Sequence, residues 1–134
     1  MTELTRHGFV ADLPEILRAG AEFRRVLATT ERTQLVVMTL QAGEEIGEET
    51  HDGIDQTLVV LEGSGSALID GEPTSIVRGA AVVVPAGVRH NVIAADAGPL
   101  QLVTVYGPPD HAPGTVHRTK AEADADEHDE PPAG

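Results

Sequence analysis

The sequence predicts an all-β domain, a sandwich or barrel of many short strands. Two observations support this. Short runs rich in β-branched and aliphatic residues follow one another closely, each bounded by Gly, Pro, Asp or Ser. No helical pattern alternates with them, which disfavours a parallel α/β sheet.

One helix is expected at the start of the chain. Asp12 can cap it, Pro14 sits in its first turn, Ile16 and Leu17 give it an apolar side, and Gly20 ends it. Strands are then expected at residues 23–27 and 34–40, with a polar turn at 29–32 between them. Further strands are expected at 56–61, 66–69, 75–77, 81–84, 88–94 and 100–106. Turn signals separate these runs: Glu62-Gly63-Ser64-Gly65, Asp70-Gly71-Glu72-Pro73, Arg78-Gly79, Pro85-Ala86-Gly87 and Ala97-Gly98-Pro99. Val82, Val83 and Val84 run without alternation, so both faces of that strand are expected to be covered, by a second sheet or by a partner subunit. After Gly107, the residues Pro108, Pro109, Pro113 and Gly114 break any sheet. Residues 121–130 alternate alanine with acids, a pattern that allows a short helix from near Thr119 but gives it no apolar face, so residues 119–134 are read as loosely held. The organisation is thus a helical segment at 1–20, a barrel at 21–107 and a Pro/Gly-rich, acidic tail at 108–134. No internal repeat is visible.

Composition narrows the function classes. The 134 residues suit one domain with its own core. The net charge of −13, from 22 acidic against 9 basic residues, makes nucleic acid a poor partner. With two Phe, one Tyr and no Trp, stacking platforms for bases or sugars are not expected. The absence of cysteine excludes disulfides and thiolate metal sites. The first residues lack an apolar leader core, and no run approaches the roughly 18 apolar residues of a membrane span. These features fit a cytoplasmic protein with no membrane contact.

Chemistry concentrates in two glycine-anchored segments. The first reads Gly43, five residues, Glu49, one residue, His51, four residues, Gln56, six residues, Gly63. The second reads Gly79, five residues, Pro85, one residue, Gly87, two residues, His90. Residues 49 and 51 lie two apart on an extended chain, so both side chains project from one face and can share one ion. Gln56 can add its carbonyl oxygen. His90 follows a turn that re-aims the next strand. Arg89 is expected to point away from it by alternation. Acids crowd this part of the chain (Glu44, Glu45, Glu48, Glu49, Asp52, Asp55), as in a solvated loop or a cation site. His7, His111, His117 and His128 lie outside both segments and are read as structural or exposed, and Tyr106 as structural.

These spacings resemble the cupin family, a double-stranded β-helix or jelly-roll barrel, over residues 23–106. The family's first motif places His-x-His and Glu where this chain has Glu49, His51 and Gln56; its second ends on a histidine that matches His90 and then an Asn where this chain has Ala94. The carboxylate has in effect moved from the third ligand position to the first. Such a compensated exchange differs from a decayed site, where Ala, Leu or Ser would be expected.

The resemblance implies one divalent metal ion held by Glu49, His51, Gln56 and His90. Two nitrogen and two oxygen donors suit Mn, Fe, Co or Ni better than structural zinc, with Mn or Fe favoured. It implies a small-molecule substrate, a reaction of the dioxygenase, lyase or isomerase type with Glu49 as a catalytic base, and a homodimer whose partner sheet is sought at residues 23–27 and 34–40. A non-catalytic barrel that binds a small ligand through the metal is the alternative, and a metal-free barrel a third. Stand-alone barrels of this kind often carry names suggesting phosphomannose isomerase. That activity is not transferred, because the sequence shows no basic cluster for a sugar phosphate.

Overall fold

A computed structural model describes residues 4–126; residues 1–3 and 127–134, with His128 and the end of the acidic run, lie outside the described residues. The chain enters through helix α1 (Leu13–Ala19). Asp12 Oδ1 accepts the Glu15 N–H at 3.1 Å, and the Gly20 N–H closes the last turn on Ile16 O at 3.2 Å. Eight strands follow: β1 (Arg24–Thr29), β2 (Gln34–Leu40), β3 (Asp55–Glu62), β4 (Ser64–Ile69), β5 (Glu72–Val77), β6 (Ala81–Val84), β7 (His90–Ala94) and β8 (Leu100–Gly107). They form an antiparallel sheet in the order β6-β3-β8-β2-β1, extended by a ninth strand described below, and a three-stranded sheet in the order β5-β4-β7.

The alternation of the strands sorts side chains between two apolar regions. Val36, Met38 and Leu40 of β2 and Leu100 and Leu102 of β8 point between the sheets into the main core, with Leu58, Val60, Val84 and Val92. The residues between them, Val37 and Val103, point outward and are covered by Leu17 of α1. Burying a leucine there contributes about 2 kcal/mol. The helix thus covers apolar surface on the outer face of the larger sheet.

One part of the fold departs from expectation. Residues after Gly107 are expected to form no sheet, and residues 119–134 to be loosely held. Instead, β9 (Val116–His117) pairs with Arg24 and Arg25 at the edge of β1, and helix α2 (Lys120–Asp126) packs behind it. Three devices hold this segment. Phe23 N–H and Val26 N–H donate to Arg118 O and Thr115 O at 3.2 and 2.8 Å. Thr119 Oγ1 accepts the Glu122 N–H at 3.1 Å while Glu122 Oε1 accepts the Arg118 N–H at 2.8 Å, close to a capping box. A single apolar contact then suffices, since Ala123 is buried in the main core beside Phe23. β9 also occupies part of the β1 edge, which was expected to lie open to a partner. On β6, Val84 is buried and Val83 is 65% exposed, so one face of this strand is covered within the chain; for the other, the sequence reading gives a partner subunit as the alternative cover.

Gln34 fastens the loop after β8. This fully buried residue donates from Nε2 to Thr29 Oγ1 (2.9 Å) and His111 O (2.7 Å), and its Oε1 accepts the N–H groups of Asp110 (3.1 Å) and His111 (2.9 Å). All four of its hydrogen-bonding positions point at β1 or at this loop, which fixes residues 110 and 111 over one end of the sheets.

Gly63, between β3 and β4, has φ +91°, and a Cβ there would lie 2.2 Å from Pro99 O. Gly79 shares that φ but faces open space. Gly63→Ala is therefore expected to lower stability by about 1–3 kcal/mol more than Gly79→Ala, because it adds overpacking to left-handed strain. Urea unfolding of both variants measures the difference; equal losses would contradict the close packing at Gly63.

Candidate metal centre

The two motif segments meet through backbone bonds. Glu49 N–H donates to His90 O at 2.8 Å and His90 N–H to Glu49 O at 2.9 Å, a reciprocal antiparallel pair. Residues so paired project side chains to the same face. His51 lies two residues along, on that face, and its carbonyl accepts the Gly87 N–H at 2.9 Å. The turn of the second motif is thereby tied to the histidine of the first. Asp55 Oδ1 caps the same turn by accepting the Ala86 N–H at 2.9 Å.

The result is that Glu49, His51 and His90 each offer a ligand atom within 4.8 Å of the others. His51 Nε2 is 3.3 Å and His90 Nε2 4.0 Å from Glu49 Oε1. His90 Nδ1–H donates to Val88 O at 2.9 Å, so Nε2 carries a lone pair; that atom is buried and has no hydrogen-bond partner. Gln56 sits at the start of β3 and is 2% exposed. Its Nε2 donates to Thr104 Oγ1 at 2.9 Å, which leaves Oε1 buried without a partner. Gln56 pairs across the sheet with Tyr106, whose ring meets His51 edge-on at 5.9 Å. Two buried acceptor atoms without donors are costly in a bare protein and fit a cation. Glu49, His51 and His90 therefore suit a divalent ion, with two imidazoles and one carboxylate as donors.

A cavity of about 480 Å³ opens over this group, lined by Glu49, His51, Asp110, His111, Arg24 and His117 among others. The last four were not expected here. The Gln34 clamp brings in Asp110 and His111, and the β9 pairing brings in His117. Tyr106 is fully buried and stands between His51 and His111, 5.3 Å from the latter ring. Arg89 points outward and pairs with Glu48 on the surface, as expected. Asn91 was passed over in the sequence: its Oδ1 accepts the Gly47 N–H at 2.9 Å and its Nδ2 donates to Glu45 Oε1 at 2.8 Å, which holds the first motif against β7.

The electrostatics of this region are mixed. For His51, burial opposes the charged form, but the hydrogen bond it donates to Glu49 and the charges of Asp110 and Glu49 outweigh that and raise the pKa. Burial raises that of Tyr106, which stays a phenol. His111 is pulled down to about 3, first by burial and then by the positive field of Arg24.

Residues 36–106 match the Cupin domain family. Among curated proteins, the chain is 38% identical over 125 residues to the YrkC protein of Bacillus subtilis, covering 89% of this chain and 67% of that one. It is 32% identical over 112 residues to protein L612 of Acanthamoeba polyphaga mimivirus, covering 81% and 70%. Among solved structures, BH2720 of Bacillus halodurans superimposes with a TM-score of 0.86 at 36% identity, covering 93% of this chain and 99% of that one.

A histidine held neutral makes folding weaken in acid. The unfolded His111 takes up a proton below its ordinary value near 6.5 while the folded one does not until about 3. Its contribution is thus present above pH 6.5 and lost as pH falls, at up to about 1.4 kcal/mol per pH unit. By pH 5 metal-free protein should lose about 2 kcal/mol through this group, and a His111→Gln variant should not. Urea unfolding of both at pH 7 and pH 5 tests this; parallel losses would show that His111 is not held neutral.

Proposed function

Since the chain belongs to the Cupin domain family, we propose that it binds one divalent metal ion through Glu49, His51, Gln56 and His90 and acts on a small oxygen-containing metabolite. The single observation that supports this most is the convergence of Glu49, His51 and His90 within 4.8 Å, with the buried His90 Nε2 lone pair aimed at no protein donor. Mn or Fe is favoured by the mixed oxygen and imidazole donors. When bound, such an ion supplies Lewis-acid polarisation of a carbonyl or hydroxyl oxygen and, if it is iron, a one-electron couple.

The residues of the chain do the rest. Val88 O fixes the tautomer of His90, and Thr104 Oγ1 fixes the orientation of Gln56. Glu49 is the half-buried carboxylate at the cavity wall, and one of its oxygens can take a proton from substrate while the other stays in the ligand set. The loop clamped by Gln34 holds Asp110 and His111 in the cavity wall beside it.

Elemental analysis after loading with Mn, Fe, Co, Ni or Zn tests the ion site. Wild-type protein should retain about one ion per chain, and His51→Ala and His90→Ala should each lose most of it. No retention by wild type with any of these metals would sink the proposal.

We also propose a homodimer that covers the outer face at β6, β3 and β8. Val83 and Val105 flank Thr57 there and are 65% and 38% exposed, and β6 is the open edge of its sheet. Light scattering at micromolar concentration should give twice the chain mass, and Val83→Glu should shift it to the monomer. A monomeric wild type would refute this arrangement.

A further inference from the structure

The cavity contains a buried cation that the metal reading does not use. Arg24 is 3% exposed and lines the cavity together with Glu49 and His51. It lies in an inward row of the larger sheet, opposite Met38, which in turn lies opposite Leu102; both are fully buried. Its Nη1 donates to His117 Nδ1 at 3.2 Å. Arginine only donates, so His117 carries its own proton on Nε2 and gives it to Asp126 Oδ2 at 2.8 Å. A neutral imidazole thus separates the guanidinium from that carboxylate. Arg24 Nε is buried with no hydrogen-bond partner. Among the described residues the arginine ion pairs are Arg18–Glu15, Arg78–Glu62 and Arg89–Glu48, all at the surface, and Arg24 has none. A buried guanidinium keeps its charge, so leaving it without a counter-charge is unfavourable.

We propose that Arg24 receives the carboxylate of a small organic acid whose other end sits at the metal centre. This rests on the metal reading for the second contact and names the substrate class for that site. Two further observations favour a carboxylate. The cavity offers one unpaired cation, since Lys120, the other one in its wall, already holds Asp124 at 3.0 Å. A more highly charged group such as a phosphate would face Glu48, Asp110, Asp124 and Asp126 in the same walls. A guanidinium binds a single carboxylate well with few helpers.

The test is calorimetric titration of metal-loaded protein with malonate, succinate and glutarate, each beside its monoamide. Wild type, Arg24→Met and Arg24→Lys are compared, with folding checked by circular dichroism and metal content by elemental analysis. At least one diacid should bind wild type about ten-fold or more tightly than its monoamide. Arg24→Met should lose that preference at unchanged metal content, and Arg24→Lys should keep part of it. Wild type that binds acid and monoamide alike, or that binds none of the diacids, overturns the proposal without any variant having to fold. An Arg24→Met variant that keeps the preference overturns it too. A wild type that holds no metal yet shows the Arg24-dependent preference would refute the metal reading and support the carboxylate anchor.

Discussion

The structure depends on the reciprocal pair of backbone hydrogen bonds between Glu49 and His90. These two residues are far apart in sequence; Glu49 lies inside the first glycine-anchored segment and His90 closes the second, and the turns of the two have little reason to meet on their own. Once their N–H and C=O groups are exchanged, the pleat decides the rest: both side chains leave on one face, His51 follows two residues later on that face, and the Pro85–Gly87 turn is drawn onto the His51 carbonyl. The candidate ligands therefore owe their proximity to main-chain pairing. Side-chain packing contributes orientation, through Val88 O at His90 and Thr104 Oγ1 at Gln56.

Most of the sheet architecture was legible in the sequence because its signals are local. Gly, Pro and Asp mark the turns within a few residues of where they act, so the eight barrel strands and helix α1 fall near their expected places. The triad of Glu49, His51 and His90 was legible for a related reason, since fixed spacing within each motif encodes which side chains share a face. What stayed hidden has long-range causes. Gln34 meets Asp110 and His111 across 76 and 77 residues, and Arg24 meets His117 across 93. No spacing rule spans such gaps. The packing of helix α2 was missed because its apolar side is one methyl group, Ala123, which only becomes a core contact when β9 has already placed it beside Phe23.

The site combines satisfied and unsatisfied polar groups in an informative way. Gln34 is wholly buried and uses every donor and acceptor it has, so it acts as a fastener. Gln56 is equally buried, yet its oxygen has no partner; the same is true of His90 Nε2. Two glutamines in one cross-strand row, on either side of Tyr106, thus serve opposite ends, one fastening the loop at the cavity wall and the other presenting an atom within the barrel. Arg24, the one buried guanidinium among the described residues, stands in a cavity whose walls otherwise carry mostly acids.

The pairing of β9 with β1 also divides the cavity between two stretches of the chain. Thr115, His117, Lys120 and Ala123 line it, yet none of them belongs to the eight barrel strands or to the candidate ligand set. The vessel and its rim are thus separable in sequence: the barrel carries the ligand atoms, and the C-terminal segment supplies one wall beside them.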